Sequence, residues 1–275
     1  MRDEEPLSDM TFYKFDGAGN DFILVDIRQD DPHLTTEQIA RLCHRRFGIG
    51  ADGLMTLGEG DGYDFVMRYY NSDGREATMC GNGGRCITAF AAMLGIVPRQ
   101  AGDGQKCYTF LGPDGPHTAT VLMWDEAARI GLVRLGMRDV PCDGVRRVLD
   151  GWLLDTGSPH YVQRVEDLDR YDVAGEGRRL RNRTDLWPEG VNVNFIEDRP
   201  DGSLAVRTYE RGVEDETWAC GTGVTACAIV TGNSRLHTRG GDFKVTFTPT
   251  GKAYTNVQLT GPVACNFTGA VDLTV

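Results

Sequence analysis

The sequence contains MCGNGGRC at residues 79–86 and ACGTGVTAC at residues 219–227. In each stretch a cysteine is followed by a glycine, a small polar residue and another glycine, and it opens an apolar run. A helix that is apolar nearly all round is typically buried on most sides. The two stretches therefore predict two buried helices that begin at Cys80 and Cys220, and Gly95 and the glycine of VTGN at 230–233 are expected to stop them.

The surrounding elements suggest a duplicated unit. Cys220 follows Cys80 by 140 residues, about half of the 275-residue chain, and each cysteine comes after strand-like segments and a polar turn. We therefore predict an α/β (α+β) fold of two pseudo-symmetric domains, with a crossover near residues 124–129. The expected domains are residues 1–126 with 265–275, which carry Cys80, and residues 127–264, which carry Cys220.

Local patterns fill in other elements of this fold. TFYKF at 11–15 and DFILVDI at 21–27 alternate as strands do and are joined by the turn DGAGN, and a second hairpin is predicted around Asp201-Gly202. TTEQIARLCHRRFG at 35–48 is predicted to be a helix with a capping box formed by Thr35 and Gln38. Its apolar face would contain Ile39, Leu42, Cys43 and Phe47.

The charge and the start of the chain limit the possible partners. The chain has 29 Lys and Arg against 40 Asp and Glu, for a net charge of −11. Nucleic acid and anionic membranes would repel such a protein, so neither is an expected partner. The acidic start MRDEEPLSDM is unlike a secretory signal, and no apolar run approaches the roughly 20 residues that a membrane span needs. We expect a cytoplasmic protein.

Cysteines in that compartment are mostly free thiols. The chain has eight of them. Small buried hydrophobic positions are expected for those outside the two repeated cysteines: Cys43, Cys86, Cys107, Cys142, Cys227 and Cys265.

A cysteine at the start of a helix has particular chemistry. The helix N-terminus presents unpaired N–H groups and about half a positive charge, so it binds a carboxylate. The same field lowers the pKa of a thiol from about 8.5. Gly81, Gly83, Gly221 and Gly223 would let a substrate approach the backbone closely, and Asn82 and Thr222 keep a polar group in each first turn.

If both helix ends face one cleft, a small amino acid could rest its α-carboxylate on the two N-termini. One sulfur would then take the α-proton and the other would return a proton to the opposite face of the carbon. The pattern thus predicts inversion at a stereocentre with no pyridoxal phosphate, other cofactor or metal.

Other interpretations of these cysteines stay open. Cys80 and Cys220 could be packing residues at tight helix entries, or they could belong to a thiol-redox or metal-binding protein. Zinc motifs usually space cysteines by two to four residues. The local pairs Cys80/Cys86 and Cys220/Cys227 are six and seven residues apart, about 9–10 Å along a helix, which does not suit one ion.

The residues around both cysteines resemble the diaminopimelate epimerase family over almost the whole chain after residue 11. The resemblance rests on KFDGAGNDF (14–22), RRFGIGADG (45–53), NSDGREATMCGNGGRC (71–86), GSPH with VNVNF (157–160 and 191–195) and YERGVEDETWACGTG (209–223). It implies two α/β domains, each a β-barrel-like wrap of strands around a central helix, with the active site in the interdomain cleft. It also implies epimerisation between LL- and meso-2,6-diaminopimelate, on the route to lysine and peptidoglycan, by a homodimer.

The resemblance further implies roles for individual residues. Cys80 and Cys220 would be the two catalytic bases, with His160 near one cysteine and Glu210 near a substrate ammonium as auxiliary groups. Arg211 would bind the distal carboxylate. The remaining substrate contacts would come from main-chain and side-chain donors and amides: Asn20, Asn71, Gly81, Asn82, Asn192, Gly221 and Thr222.

Taken singly, several of these residues have a simpler explanation. Asn20 and Asn71 lie in turns and could form Asx turns, His160 could be a surface histidine, and Arg211 could pair with Glu214 or Asp215.

The chain also departs from the family pattern in a few places. Asp16 stands where histidine is usual, Ser158 stands where asparagine commonly precedes Pro-His, and Gly53 replaces the glutamine of some members. The segment between Glu210 and Cys220 is one residue longer than in many members. We expect these departures to affect recognition of the distal end of the substrate and not the inversion itself.

Overall fold

The first of two compact units is built around one long helix. The computed structural model describes residues 9–99 and 104–273, and these divide into a unit of residues up to Val133 with those from Val263 onward, and a unit of residues Arg134–Pro262. The elements of the first unit are β1 (Met10–Gly17), β2 (Asn20–Asp26), α1 (Thr36–Cys43), β3 (Gly53–Gly58), β4 (Phe65–Asn71), α2 (Gly81–Met93), β5 (Lys106–Gly112), β6 (Gly115–Asp125) and most of β7 (Ile130–Gly136).

The second unit repeats this composition. It contains β8 (Val140–Pro141), a 3₁₀ turn (Cys142–Gly144), β9 (Arg146–Val148), β10 (Gly151–Asp155), β11 (Pro159–Arg164), α3 (Val173–Arg181), β12 (Asn192–Asp198), β13 (Leu204–Glu210), β14 (Asp215–Thr217), α4 (Gly221–Thr231), β15 (Arg235–Thr238) and β16 (Gly241–Pro249). The 19-residue strand β17 (Ala253–Val271) gives its first residues to this unit and its last residues to the first.

Strand pairing follows the same order in both units. In the first, the antiparallel pairs β1/β2, β3/β4 and β5/β6 are joined by the parallel pairs β2/β3 and β4/β5. In the second, the antiparallel pairs β10/β11, β12/β13 and β15/β16 are joined by the parallel pairs β11/β12 and β13/β15. The long helix comes between the fourth and fifth strands of each set, with the short strand β14 before it in the second unit, so α2 and α4 occupy equivalent places. This repeat confirms the predicted duplication.

Both long helices lie among the strands of their own unit. α2 packs against β1, β2, β3 and β6, and α4 packs against all three antiparallel pairs of its unit, β10/β11, β12/β13 and β15/β16. Every residue from Gly81 to Ala92 is buried, including Arg85. Since a helix surrounded by strands must be apolar on all sides, the apolar runs after Cys80 and Cys220 are explained by this burial. The predicted mixed α/β fold with a central helix in each unit is confirmed.

Some local expectations were wrong. The predicted helix at 35–48 has its capping box but ends at Cys43, because His44 takes an extended conformation and its Nδ1 accepts hydrogen bonds from the main-chain N–H groups of Arg46 and Phe47. Phe47 therefore lies in a turn with 64% of its surface exposed, not on the buried face. Cys43, Cys86, Cys227 and Cys265 are buried as expected, but Cys107 and Cys142 are only half-buried.

The position of the domain boundaries at 126/127 and 264/265 stays a prediction. Among the residues that the structure describes, no helix is long and apolar enough to cross a bilayer.

Candidate active site

Cys80 and Cys220 are the N-cap residues of the two central helices. Both have extended backbone angles, and the first hydrogen bonds within the helices are from Gly84 N to Cys80 O, 2.8 Å, and from Val224 N to Cys220 O, 2.9 Å. Neither sulfur accepts a capping hydrogen bond from a main-chain N–H of its own helix. Each thiol therefore lies at the positive end of a helix macrodipole, as the sequence predicted.

In the first unit, two amide side chains adjoin Cys80. Its Sγ lies 3.7 Å from Asn20 Oδ1, on β2, and donates to it. Asn82 Nδ2 donates to the same oxygen over 3.2 Å, and Arg85 donates to Asn82 Oδ1 over 3.0 Å. The structure thus brings together the predicted residues Cys80, Asn20 and Asn82, and it adds Arg85 from the same helix.

A cluster of charges behind Asn20 fixes its orientation. Asn20 Nδ2 donates to Asp52 Oδ2 over 2.7 Å, and Arg45 forms ion pairs of 2.7 Å with both Asp52 and Asp21. Lys14, only 6% exposed, also pairs with Asp21. Burial alone would raise the pKa of Asp21, but the bonds and charges of Arg45 and Lys14 outweigh it and lower the pKa to about 2. The side chain of Asn20 is therefore held by a hydrogen bond to a member of this ion-pair cluster and is not a solitary Asx turn.

In the second unit, a chain of polar side chains leads to Cys220. Its Sγ lies 3.4 Å from Thr222 Oγ1, and that hydroxyl lies 2.9 Å from His160 Nε2. Ser158 Oγ lies 3.0 Å from the same His160 nitrogen and 3.3 Å from Thr222 Oγ1. His160 is fully buried, so it is not the surface histidine that its loop sequence allowed.

The tautomer of His160 follows from its neighbour Asn194. Asn194 Nδ2 donates to Tyr161 O over 3.0 Å, and its Oδ1 accepts from Thr208 over 2.9 Å, so the amide can have only one orientation. The same Nδ2 lies 3.1 Å from His160 Nδ1, which must accept. Burial, with a smaller contribution from the charge of Arg211, lowers the pKa of His160 to about 3. The ring is neutral and its proton is on Nε2.

Asn192 and Arg211 adjoin the polar side chains that lead to Cys220. Asn192 Oδ1 accepts from the main-chain N–H of Arg211 over 2.8 Å, and its Nδ2 donates to Ser158 Oγ over 3.1 Å. The guanidinium of Arg211 donates to Glu189 O over 3.2 Å and does not form the ion pair with Glu214 or Asp215 that its sequence allowed. Glu210 ends β13 and is half-buried. In the first unit, Asn71 ends β4 opposite Gly53. The substrate contacts of these four residues stay predictions.

Two of the four glycines have a packing role that the sequence did not show. A Cβ at Gly223 would lie 2.3 Å from Asn194 Oδ1, and one at Gly83 would lie 3.0 Å from Met55 Sδ. Both positions therefore face residues of neighbouring strands, and our expectation that they leave room for a substrate was wrong. Gly81 and Gly221, each directly after its cysteine, stay candidates for that role.

The other buried thiols differ from Cys80 and Cys220 in their surroundings. Burial raises the pKa of Cys43 to about 12 and raises those of Cys86 and Cys227 far above the usual value. These three thiols are therefore inert at neutral pH. Within residues 9–99 and 104–273, no group of three or more His, Cys, Asp or Glu side chains could hold a metal ion.

Sequence comparison identifies relatives of the chain. The family model for diaminopimelate epimerase matches residues 12–104 and 152–270. The chain belongs to the diaminopimelate epimerase family. The diaminopimelate epimerase of Flavobacterium psychrophilum is 42% identical over 264 residues, which cover 92% of this chain and 96% of the relative. That of Chlorobaculum tepidum is 46% identical over 219 residues, which cover 78% and 80%.

Solved structures share the fold at low identity. A hydroxyproline epimerase from Agrobacterium vitis superposes with a TM-score of 0.64 at 16% identity, covering 99% of this chain and 94% of that structure. A phenazine biosynthesis protein of the PhzF family from Bacillus anthracis gives 0.67 at 13% identity, covering 96% and 99%. Membership of the diaminopimelate epimerase family makes the chain an isomerase, and a small-molecule substrate is consistent with an epimerase.

Proposed function

We propose that this protein interconverts LL- and meso-2,6-diaminopimelate in the formation of lysine and peptidoglycan precursors, with Cys80 and Cys220 as its two acid–base groups. The observation that carries the proposal is that each cysteine is the N-cap of a buried helix and contacts amide or hydroxyl side chains of the family motifs. Such a position favours both a reactive thiol and a nearby carboxylate.

The reaction requires a single proton transfer on each face of the α-carbon. The thiolate of one cysteine takes the α-proton, and the C–H electron pair stays on carbon and its carboxylate. The thiol of the other cysteine then donates its proton to the opposite face. The helix N-termini stabilise the charge that develops on the carboxylate. No atom is gained or lost, and the two cysteines end with their protonation states exchanged.

The distal end of the substrate would select diaminopimelate over simpler amino acids. Diaminopimelate carries a second ammonium and a second carboxylate there. A bidentate guanidinium, that of Arg211, suits the carboxylate, and the carboxylate of Glu210 suits an ammonium. We include Asn71 and Asn192 as further polar contacts. The protein would act without a cofactor, in the cytoplasm and as a homodimer, and light scattering of the purified protein tests the last point.

The first prediction concerns the two cysteines. In D₂O the wild-type protein should incorporate deuterium at the α-carbon of diaminopimelate while it interconverts the isomers. Cys80→Ala and Cys220→Ala should each lose epimerisation in both directions by at least about 10³-fold, because every turnover needs one base and one acid. Cys107→Ala, which changes a half-buried thiol of no assigned role, is the matched control. Wild-type rates in either of the first two variants would refute the mechanism.

A second candidate function is racemisation of another amino acid on the same scaffold. It is favoured by Ser158, which stands where the family commonly has asparagine. Substrate profiling with Arg211→Lys separates the two. A diaminopimelate enzyme should lose about 1–3 kcal/mol of binding for its substrate in this variant, seen as a raised KM, because lysine cannot pair bidentately. An enzyme for a monocarboxylic amino acid should show no activity on diaminopimelate and no effect of the substitution.

A further inference from the structure

Asn194 is a fully buried amide to which the sequence analysis assigned no role. It lies on β12 two residues after Asn192, so both side chains leave the same face of the strand. Its Nδ2 donates to Tyr161 O over 3.0 Å and lies 3.1 Å from His160 Nδ1. A group in this position decides which ring nitrogen of a histidine carries the proton.

The orientation of this amide excludes a proton on His160 Nδ1. Tyr161 O is a carbonyl oxygen and can only accept, so a reversed amide would place two oxygens 3.0 Å apart. The nitrogen of Asn194 therefore faces Nδ1, where a second N–H group would repel it. Since burial keeps the ring neutral, its one proton lies on Nε2.

The Nε2–H group of His160 lies against two hydroxyl groups. Thr222 Oγ1 is 2.9 Å and Ser158 Oγ is 3.0 Å from this nitrogen, and neither hydroxyl can donate to a nitrogen that already carries a proton. Asn192 Nδ2 also donates to Ser158 Oγ over 3.1 Å, because Asn192 Oδ1 accepts from the main-chain N–H of Arg211 and so fixes that amide. The fixed neighbours of both hydroxyls are therefore donors.

The two hydroxyl groups have one proton more than they can share between them. Ser158 Oγ and Thr222 Oγ1 lie 3.3 Å apart, and this contact accommodates a single hydrogen bond. At least one of the two protons must therefore point away from the ring, from the Asn192 amide and from the other hydroxyl. Both residues are only half-buried, so this proton reaches Cys220 Sγ, 3.4 Å from Thr222 Oγ1, or a group on the solvent side.

The opposite tautomer of His160 would remove this surplus. A ring protonated on Nδ1 has a free lone pair on Nε2, which would accept the proton of Thr222 or Ser158. The contact between the two hydroxyls would take the other proton, and neither would have to point outward. The tautomer that Asn194 imposes thus decides whether the pair offers a hydrogen-bond donor beside the first turn of α4.

We propose that Asn194 is a positioning residue of the epimerase: by holding His160 in its Nε2–H tautomer, it makes the pair Ser158 and Thr222 a hydrogen-bond donor to the α-carboxylate of the substrate. Thr222 is in the first turn of α4, where main-chain N–H groups and the helix macrodipole also favour an anion. The inference rests on the proposed function for the identity of that anion. The donor binds more strongly as negative charge grows on the carboxylate during removal of the α-proton, so it acts on the rate as well as on binding.

The protonated ring nitrogen can be observed directly. In protein labelled with nitrogen-15 at histidine, proton–nitrogen correlation spectra distinguish the two neutral tautomers from a doubly protonated ring, and loss of signals in His160→Gln assigns those of His160. The substrate-free wild type near neutral pH should carry its proton on Nε2 alone. Asn194→Asp should carry a proton on Nδ1, because a carboxylate there accepts it. A proton on Nδ1 in the wild type would overturn the proposal.

The same variant separates positioning from a merely structural effect. While the ring of Asn194→Asp is doubly protonated, Nε2 still donates; once it loses a proton, the carboxylate keeps the other on Nδ1 and Nε2 accepts. Relative to wild type, kcat/KM for diaminopimelate should therefore fall by about 10- to 100-fold as the pH rises through the ring titration seen in the spectra, the effect of one hydrogen bond to a charged group. Arg211, the charged group that acts on the ring, keeps its charge over this range. A ratio that stays constant through the titration would refute the positioning role.

Thr208→Val is the matched control. Thr208 donates to Asn194 Oδ1 over 2.9 Å, so the substitution removes a buried hydrogen bond of the same amide, whereas Tyr161 O still orients it. The ring spectrum of this variant should match that of the wild type, and its activity relative to wild type should not vary with pH. A proton on Nδ1 in this variant would contradict the orienting role of Tyr161 O.

A second variant tests the donor if Asn194→Asp does not fold, which circular dichroism would show. Ser158→Ala/Thr222→Val removes both hydroxyl protons and should lower kcat/KM by about 10- to 100-fold. Thr225→Val is its control, because that hydroxyl is on the same helix and donates to Gly221 O. An unchanged kcat/KM in the double variant would refute the donor. Failure of the wild type to epimerise diaminopimelate would refute the proposed substrate, whereas the ring spectra would still test the tautomer.

Discussion

At the scale of single residues, the orientation of Asn20 depends on charges that are distant in sequence. Asn20 was predicted as a substrate contact from its motif alone. The pairing of Lys14, Asp21, Arg45 and Asp52 behind it could not be predicted, although all four lie within the quoted motifs, because it depends on contacts between β1, β2 and the turn before β3. Local sequence gives residue types, whereas such contacts are fixed only by strand register.

The low pKa of Asp21 makes part of the stability pH-dependent. The folded-state pKa of about 2 lies below the unfolded value of about 3.9, so the carboxylate stabilises the fold fully above about pH 4. That contribution is lost as the pH falls through about 2. Asp21→Asn should therefore cost about 2 kcal/mol of unfolding free energy near pH 6, and progressively less between about pH 4 and 2.

Urea unfolding of both proteins across this range measures the effect. Asp73→Asn, which removes an exposed carboxylate of the same unit, is the matched control. A difference between wild type and Asp21→Asn that stays constant down to pH 2 would contradict the pKa.

At the scale of elements, the sequence predicted those helices and strands whose ends carry a chemical signal. Both central helices begin and end as their cysteines and glycines indicated. Helix α3 was not predicted, since Gly175 and Gly177 are poor helix formers. A Cβ at Gly177 would lie 2.4 Å from the Cβ of Tyr209, so the glycine is needed for close packing of α3 on β13. This tertiary requirement has no signature in local sequence.

The end of α4 provides a test of backbone conformation without side-chain contacts. Gly232 is the C-cap, with a φ of +74°, and a Cβ there would meet nothing within 4 Å. Gly232→Ala should therefore cost about 1 kcal/mol of stability, entirely from the left-handed backbone. Urea unfolding measures it. Gly144→Ala, at another open position where φ is not positive, should be neutral, and an equal loss in both variants would contradict the explanation.

At the scale of the whole molecule, the duplication was predictable because the two cysteine motifs mark equivalent helices. The short strands β8, β9 and β14 were not predicted, because two or three residues carry no periodicity. The order of parallel and antiparallel strand pairs that the two units share could not be predicted either, because paired strands can be far apart along the sequence. The motifs thus predicted the two central helices of the fold but not the pairing of the strands around them.

The two-thiol mechanism also predicts how the whole enzyme responds to reagents. A chelator should leave the activity within about twofold of the untreated value, because thiol acid–base chemistry requires no metal. A mild oxidant should abolish the activity and dithiothreitol should restore it, because only the reduced sulfurs can carry protons. A steady-state assay before and after each treatment is sufficient. Loss of activity in the chelator that added metal restores would favour the metal-binding alternative.

The glycine at position 223 has a consequence for the evolution of the enzyme. Its missing methyl group makes room for the Asn194 amide, and that amide in turn dictates which nitrogen of His160 is protonated. Drift to alanine at this position would displace the amide and release the imidazole to tautomerise. A side chain at residue 223 would thus alter the acid–base chemistry of His160, although the glycine itself has no functional group.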